Sequence, residues 1–300
     1  MSLRSRYPRL VAFILLAVLT VCGAWLLLSG DWRAALGQWR GRLPIVAAVL
    51  GLRIMDLALD GLIWWWLLRS LGIRLRGLSV PLVYLAGYAG LLLPAQLGRF
   101  VRSDAIVRLG AGPFLEAAKA EAVLVFLSGV SAVALLAAAV AYAVSPVLAP
   151  VALAAVAAAF LFFAEGLFRL LSKTPIRLPA GYWWHGKTFL MVLLCMLGWT
   201  LAGVQLFLIA KDLPGGITLW QALIVAPSNL VLGSSTGLPG GIGAVEGLLG
   251  ASLSFLQVSS SDLPLAVAVF RLLTFWIWIP AGWLALLWVN RLAAGNPGRE

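Results

Sequence analysis

In 300 residues the chain carries a net charge of +11, yet only 11% of its residues are charged and 62% are hydrophobic, with a mean hydropathy of +1.01. That balance leaves too little polar surface to cover a water-soluble globule, so it excludes a soluble enzyme and points to an all-α polytopic membrane protein. A single histidine and two isolated cysteines argue against a zinc site, a His-dependent triad or a disulfide, and no cofactor is implied.

Apolar runs of about 20 residues, the length that crosses a hydrocarbon core, recur along the chain. The first, Leu10–Leu28, follows Arg4, Arg6 and Arg9 but precedes no small-x-small cleavage site, so it reads as an anchoring helix. The second, Pro44–Leu68, holds Arg53, Asp56 and Asp60 at i, i+3 and i+7, on one helical face. Charges at that depth are costly and face a bundle interior or a wet cavity. An Arg53–Asp56 pair within the helix leaves Asp60 over, and Arg271 in the last span is its candidate partner, or else a ligand for a lipid phosphate. Trp64, Trp65 and Trp66, like Trp183 and Trp184 later, read as interfacial belt residues.

Pro81–Leu109 is apolar but broken at LLLPAQLGR, around Pro94 and Gly98. Arg99 and Arg102 follow three apart and would present two guanidiniums on one helical face, either for headgroup snorkelling or for a substrate phosphate. Full spans then run over Ala117–Val144, Val147–Leu171 and Lys187–Ala210. Glu121 would pair with Lys119 or cap its helix, and Glu165 would pair locally with Arg169. Thr218–Leu256 is the second broken segment, interrupted at GLPGGIGAVEG. There Pro239, Gly240, Gly241 and Gly243 break the helix and expose backbone N–H groups, and Glu246 adds an acid. Pro264–Val289, with Arg271, is the sixth full span.

With both termini cytoplasmic, sixteen of the twenty-two basic residues fall on the cytoplasmic side, so the charge is mainly a topology signal and an attraction to anionic headgroups, with no nucleic acid implied. In that topology the two broken hairpins open from opposite faces. Leu93–Gly98 aligns with Leu238–Gly243, both apolar-Pro-x-x-apolar-Gly. The expectation is a single domain over residues 1–300 built as an inverted repeat, halves about 44–144 and 187–289, with six spans and two re-entrant-type hairpins. Such paired breaks point to a transporter-like site at the repeat interface.

Enzyme signatures are incomplete. DLALDG, Asp56 to Gly61, fails to match the acid-rich motif of CDP-alcohol phosphatidyltransferases, since three residues separate the acids and no later Asp-x-x-x-Asp follows. No HExxH, GxSxG or P-loop is present, and the longest non-cytoplasmic loop has only Asp31 where a polyprenyl-phosphate glycosyltransferase would show an acidic motif.

LLPAQLGRFVRSDAIVRL, GLPGGIGAVEGLL and VFRLLTFWIW together resemble the lysylphosphatidylglycerol synthase transmembrane, or flippase-like, family, most specifically at Pro239–Glu246 and Arg271. The resemblance implies a lipid translocase fold in the bacterial inner membrane, without a metal. Pro94, Gly98, Arg99, Pro239, Gly241, Gly243 and Glu246 would line a headgroup path, with Arg271 beside them. Its substrate would be an anionic or aminoacylated phospholipid or a polyprenyl-linked lipid; a homodimer or a partner enzyme is left open. No soluble synthase domain follows Val289, from which the expectation is that this chain does not itself aminoacylate lipid. Glu121 is followed by Ala122 where the family commonly has an arginine, which leaves that charge without a neighbour. Two other readings stand beside translocation: an integral-membrane enzyme acting on a lipid phosphate, and an accessory subunit of a polyprenyl-linked glycosyltransferase pathway.

Overall fold

The computed structural model describes residues 41–91, 93–170, 183, 185–259 and 261–294, without the side chains of 94–96 and 167–170. The expected first span, Leu10–Leu28, lies outside the described residues. Contacts divide the chain into Met1–Ala47 and Ala48–Glu300, and every side chain discussed below lies in the second unit.

Among the described residues ten α-helices follow one another: α1 (Leu43–Ser70), α2 (Ser79–Ala86), α3 (Phe100–Arg108), α4 (Phe114–Val144), α5 (Leu148–Leu170), α6 (Gly186–Ala210), α7 (Leu219–Ser235), α8 (Ala244–Phe255), α9 (Leu263–Arg271) and α10 (Trp278–Ala294). Among the described residues four helical stretches are long and apolar enough to cross a membrane: Phe114–Val144, Leu148–Gly166, Gly186–Ala210 and Leu263–Ala294, the last joining α9 and α10 through a π-turn at Leu272–Trp276. The protein is a multi-pass membrane protein. Helix α1 is 28 residues long, but Arg53, Asp56 and Asp60 at its centre keep it from being purely apolar.

Helix α4 is the axis of the bundle, because it packs against α3, α5, α6 and α7. Half of its most apolar window is buried, against 17% for α5, whose Val151, Phe162 and Phe163 project outward. An apolar exterior of that kind suits lipid and would be a liability in water. Helix α10 lies along α2 and the turn after it, and α6 packs on α7.

Both broken segments fold as helix, break and helix. Leu93 and Leu238 are extended, as residues before proline must be, with ψ of 140° and 146°. Pro94 and Pro239 then each open a short 3₁₀ turn, Pro94–Arg99 and Pro239–Gly241, before α3 and α8 begin. The same six-residue pattern therefore produces the same backbone event twice, and the two 3₁₀ turns touch each other.

Glycine is needed at these turns for two different reasons. Gly240, Gly241 and Gly243 have φ of 58°, 66° and 82°, a region that side-chain-bearing residues rarely adopt. Gly98 is pressed against Gly90 on the facing turn Gly87–Gly90, so a Cβ at Gly98 would fall on the Gly90 carbonyl. Gly98→Ala is expected to destabilise the protein by about 1–3 kcal/mol, the usual cost of overpacking. Gly247→Ala, inside α8 with open space around it, should not lower the unfolding midpoint in detergent and should raise it slightly, since alanine favours the helix by about 0.5–1 kcal/mol.

Candidate functional site

The first break is held by a buried ion pair. Arg102, on α3, is 4% exposed, and its Nη1 donates to Oε2 of Glu121 on α4 at 3.1 Å. The other carboxylate oxygen, Oε1, accepts from Trp64 Nε1 at 2.5 Å, and Arg102 Nε donates to the Tyr84 carbonyl at 2.8 Å. Its guanidinium carbon lies 4.1 Å from the centre of the Tyr84 ring. Gly87 leaves room for the arginine stem, since a Cβ there would occupy the same space. A charge pair so deep survives only when its remaining hydrogen-bonding capacity is met, and here both ions have further partners.

The second break is held by a matching pair of reversed sense. Arg271, at the end of α9 and 3% exposed, donates from Nε to Oε1 of Glu246 on α8 at 2.7 Å and from Nη2 to the Gly240 carbonyl at 3.2 Å. Glu246 Oε2 accepts from the Gly243 N–H at 2.8 Å, which satisfies a donor at the start of α8. The π-turn that follows Arg271 sets Phe275 beneath it, 4.1 Å from guanidinium carbon to ring centre. At the first break the cation sits on the helix after the break and the acid on the next helix; at the second break the two are exchanged.

A third polar group joins α1 to the first hairpin. Arg53 pairs with Asp56 one turn on, and its Nη2 donates to the Tyr88 hydroxyl at 3.4 Å. The Tyr84 hydroxyl donates to Asp60 Oδ2 at 3.3 Å. Asp56 faces Gly198 of α6, where any larger residue would crowd the carboxylate.

Between the breaks lies a cleft of about 480 Å³. Arg99, Phe100, Glu121, Ala122 and Val125 form one wall; Ser234, Ser235 and Gly237, which lead into the second break, form the other. Its size falls within the range of small-molecule sites. Among the described residues no three His, Cys, Asp or Glu side chains come together as a metal would require.

Several expectations change in this geometry. Arg102 is committed to Glu121 inside the bundle, while Arg99, three residues before it, lines the cleft. Arg271 binds Glu246 and not Asp60, whose partner is Tyr84. Glu121 does have a cationic partner, 19 residues back in sequence, and Lys119 pairs instead with Glu116. Trp64 is fully buried and serves as a donor to Glu121, and Trp183 is 1% exposed, so neither is a belt residue; Trp184 lies outside the described residues. The Arg169 side chain also lies outside the description. Pro94 opens the first 3₁₀ turn.

Tyr84, Tyr88, Phe275, Ser234 and Ser235 escaped sequence reading. Tyrosine in an apolar hairpin was the available signal, because a buried hydroxyl needs a partner. The two serines had none, since serine is common in membrane helices.

The sequence model described as the lysylphosphatidylglycerol synthase TM region matches residues 9–282. No curated relative matches the chain.

Removing one member of a buried pair strands the other. Glu121→Ala is expected to cost about 3–5 kcal/mol. Arg102→Met with Glu121→Leu should recover most of that loss, as measured by thermal unfolding in detergent; a double variant as unstable as Glu121→Ala would show that the pair has a further structural role.

Proposed function

Because the chain belongs to the lysylphosphatidylglycerol synthase transmembrane family, we propose that it moves a phosphate-bearing lipid between the leaflets of a bacterial inner membrane, with both termini cytoplasmic. The observation that carries this reading is the cleft between the two breaks, lined by both hairpins and furnished with Arg99, Ser234 and Ser235. Backbone freed at such breaks cannot face hydrocarbon, where each unmet N–H or C=O costs several kcal/mol; it has to line protein or a wet path.

In this reading the hairpins are re-entrant elements of an inverted repeat. The guanidinium of Arg99 takes the lipid phosphate through its planar fork. Both serine hydroxyls donate to the Val231 carbonyl, at 2.9 and 2.7 Å, which leaves their oxygen lone pairs for hydroxyl or ammonium groups of a headgroup. Phe100 and Val125, each 37% exposed, border the cleft with apolar surface against which acyl chains can remain in the bilayer. Arg102–Glu121, whose acid also borders the cleft, and Arg271–Glu246 hold the breaks in place. Each anchors one break to the helix after it, so a hairpin moves with its neighbour as a unit. The substrate is an anionic or aminoacylated phospholipid, or a polyprenyl-linked lipid.

Proteoliposomes holding the purified chain and fluorescent phospholipids provide the test. Dithionite quenching should reveal translocation, and Arg99→Ala should slow it by about tenfold or more, the value of one charge-assisted hydrogen bond. No translocation with anionic, aminoacylated or polyprenyl-linked lipids, or an unchanged rate in Arg99→Ala, would sink the reading. A new lipid product formed from a lipid donor would replace it with an enzymatic one.

A further inference from the structure

A second cavity, of about 660 Å³, opens at the C-terminal end of α1 and has no part in the cleft between the breaks. Trp65, Arg69, Arg74, Leu75, Arg76 and Val80 surround it, together with Gly77. The described residues lining it bring three guanidiniums and no carboxylate.

Local structure fixes where those arginines point. Helix α1 ends in a Schellman motif: the Gly72 N–H bonds to the Arg69 carbonyl at 3.2 Å, and the Ile73 N–H reaches back to the Leu68 carbonyl at 2.9 Å. Gly72 supplies the φ of 82° that this requires. The chain then runs extended through Ile73-Arg74-Leu75-Arg76, and alternation does the sorting. Ile73 and Leu75, 1% and 6% exposed, are anchored in the hydrophobic core, so Arg74 and Arg76 are turned outward and are exposed. Arg69 lies over the Trp65 ring, 4.8 Å from guanidinium carbon to ring centre, and so stands as the third wall. Trp65 Nε1 is a buried donor without a protein partner.

We propose that this cavity is a binding site for a phosphate-bearing anion, distinct from the translocation cleft and independent of the function assigned to it. Its lining offers only donors, concentrated charge is not offset by any acid, and the guanidinium fork matches a phosphate in shape. An arginine cluster that only marked topology would need neither a pinned loop nor a shared cavity. The phosphate belongs either to an anionic lipid headgroup at the membrane boundary or to a soluble phosphate compound.

The test uses the full chain in nonionic detergent, carrying Arg99→Gln so that the cleft does not contribute. Calorimetric titration with dioctanoyl-phosphatidylglycerol should show binding, and dioctanoyl-phosphatidylcholine should bind at least about tenfold more weakly because its ammonium enters a cationic site. Adding Arg69→Gln, Arg74→Gln and Arg76→Gln together should weaken the anionic lipid by about tenfold or more. The side chains are exposed, so the unfolding midpoint should not move; if the triple variant does unfold, Arg74→Gln alone carries the test with a loss of about threefold. Competition by inorganic pyrophosphate would assign the site to a soluble phosphate, and its failure to compete would assign the site to the lipid headgroup. Equal binding of the two lipids, or unchanged binding in the arginine variants, would overturn the proposal. Loss of translocation in Arg99→Ala has no bearing on this site, so the two readings fail separately.

Discussion

An ion inside an apolar bundle has to bring its counter-ion with it, and most of the architecture around the two breaks follows from that requirement. Stripping a charged group of water costs several kcal/mol even after relaxation, and a nearby opposite charge offsets this only if the other lone pairs and protons are also met. Arg102–Glu121 and Arg271–Glu246 both satisfy the condition. Trp64 and the Tyr84 carbonyl complete the first pair; the Gly243 N–H and the Gly240 carbonyl complete the second. Each pair joins a hairpin to the following helix, so neither hairpin can shift alone without exposing a bare charge.

The breaks themselves come from proline and glycine, and they solve a backbone problem by creating a local one. Interrupting a helix frees N–H and C=O groups that lipid cannot satisfy. Part of that need is met by side chains already present for the ion pairs: Glu246 accepts from Gly243, and Arg271 donates to Gly240. The two 3₁₀ turns also lie against each other, which brings one broken segment toward the other. The cleft is thus a consequence of two interrupted helices meeting, with Arg99 as the cation directed into it while Arg102, three residues on, is committed to the bundle.

Much of this was legible along the chain. The helical membrane class followed from hydropathy, the positions of the two breaks from Pro94 and Pro239, and the Arg53–Asp56 pair from a spacing of three residues on one helix. What was misread shares a common cause. Glu121 looked unpaired because its arginine is 19 positions away on another helix, and Arg271 was matched to Asp60 because both lacked a local partner. Trp64 belongs to a run of three tryptophans that composition assigns to an interface, whereas helical rotation points that one ring inward. Periodicity reports the face of one helix; it is silent on which neighbour that face meets.

By itself the sequence determined what each segment has to be, because hydrocarbon admits only internally bonded helices and proline or glycine dictates where they stop. It also determined that the buried charges must be balanced. Which acid balances which arginine was decided by the tertiary structure, since Arg102 meets Glu121 and Arg271 meets Glu246 across different helices and no local spacing rule records which helices pack together.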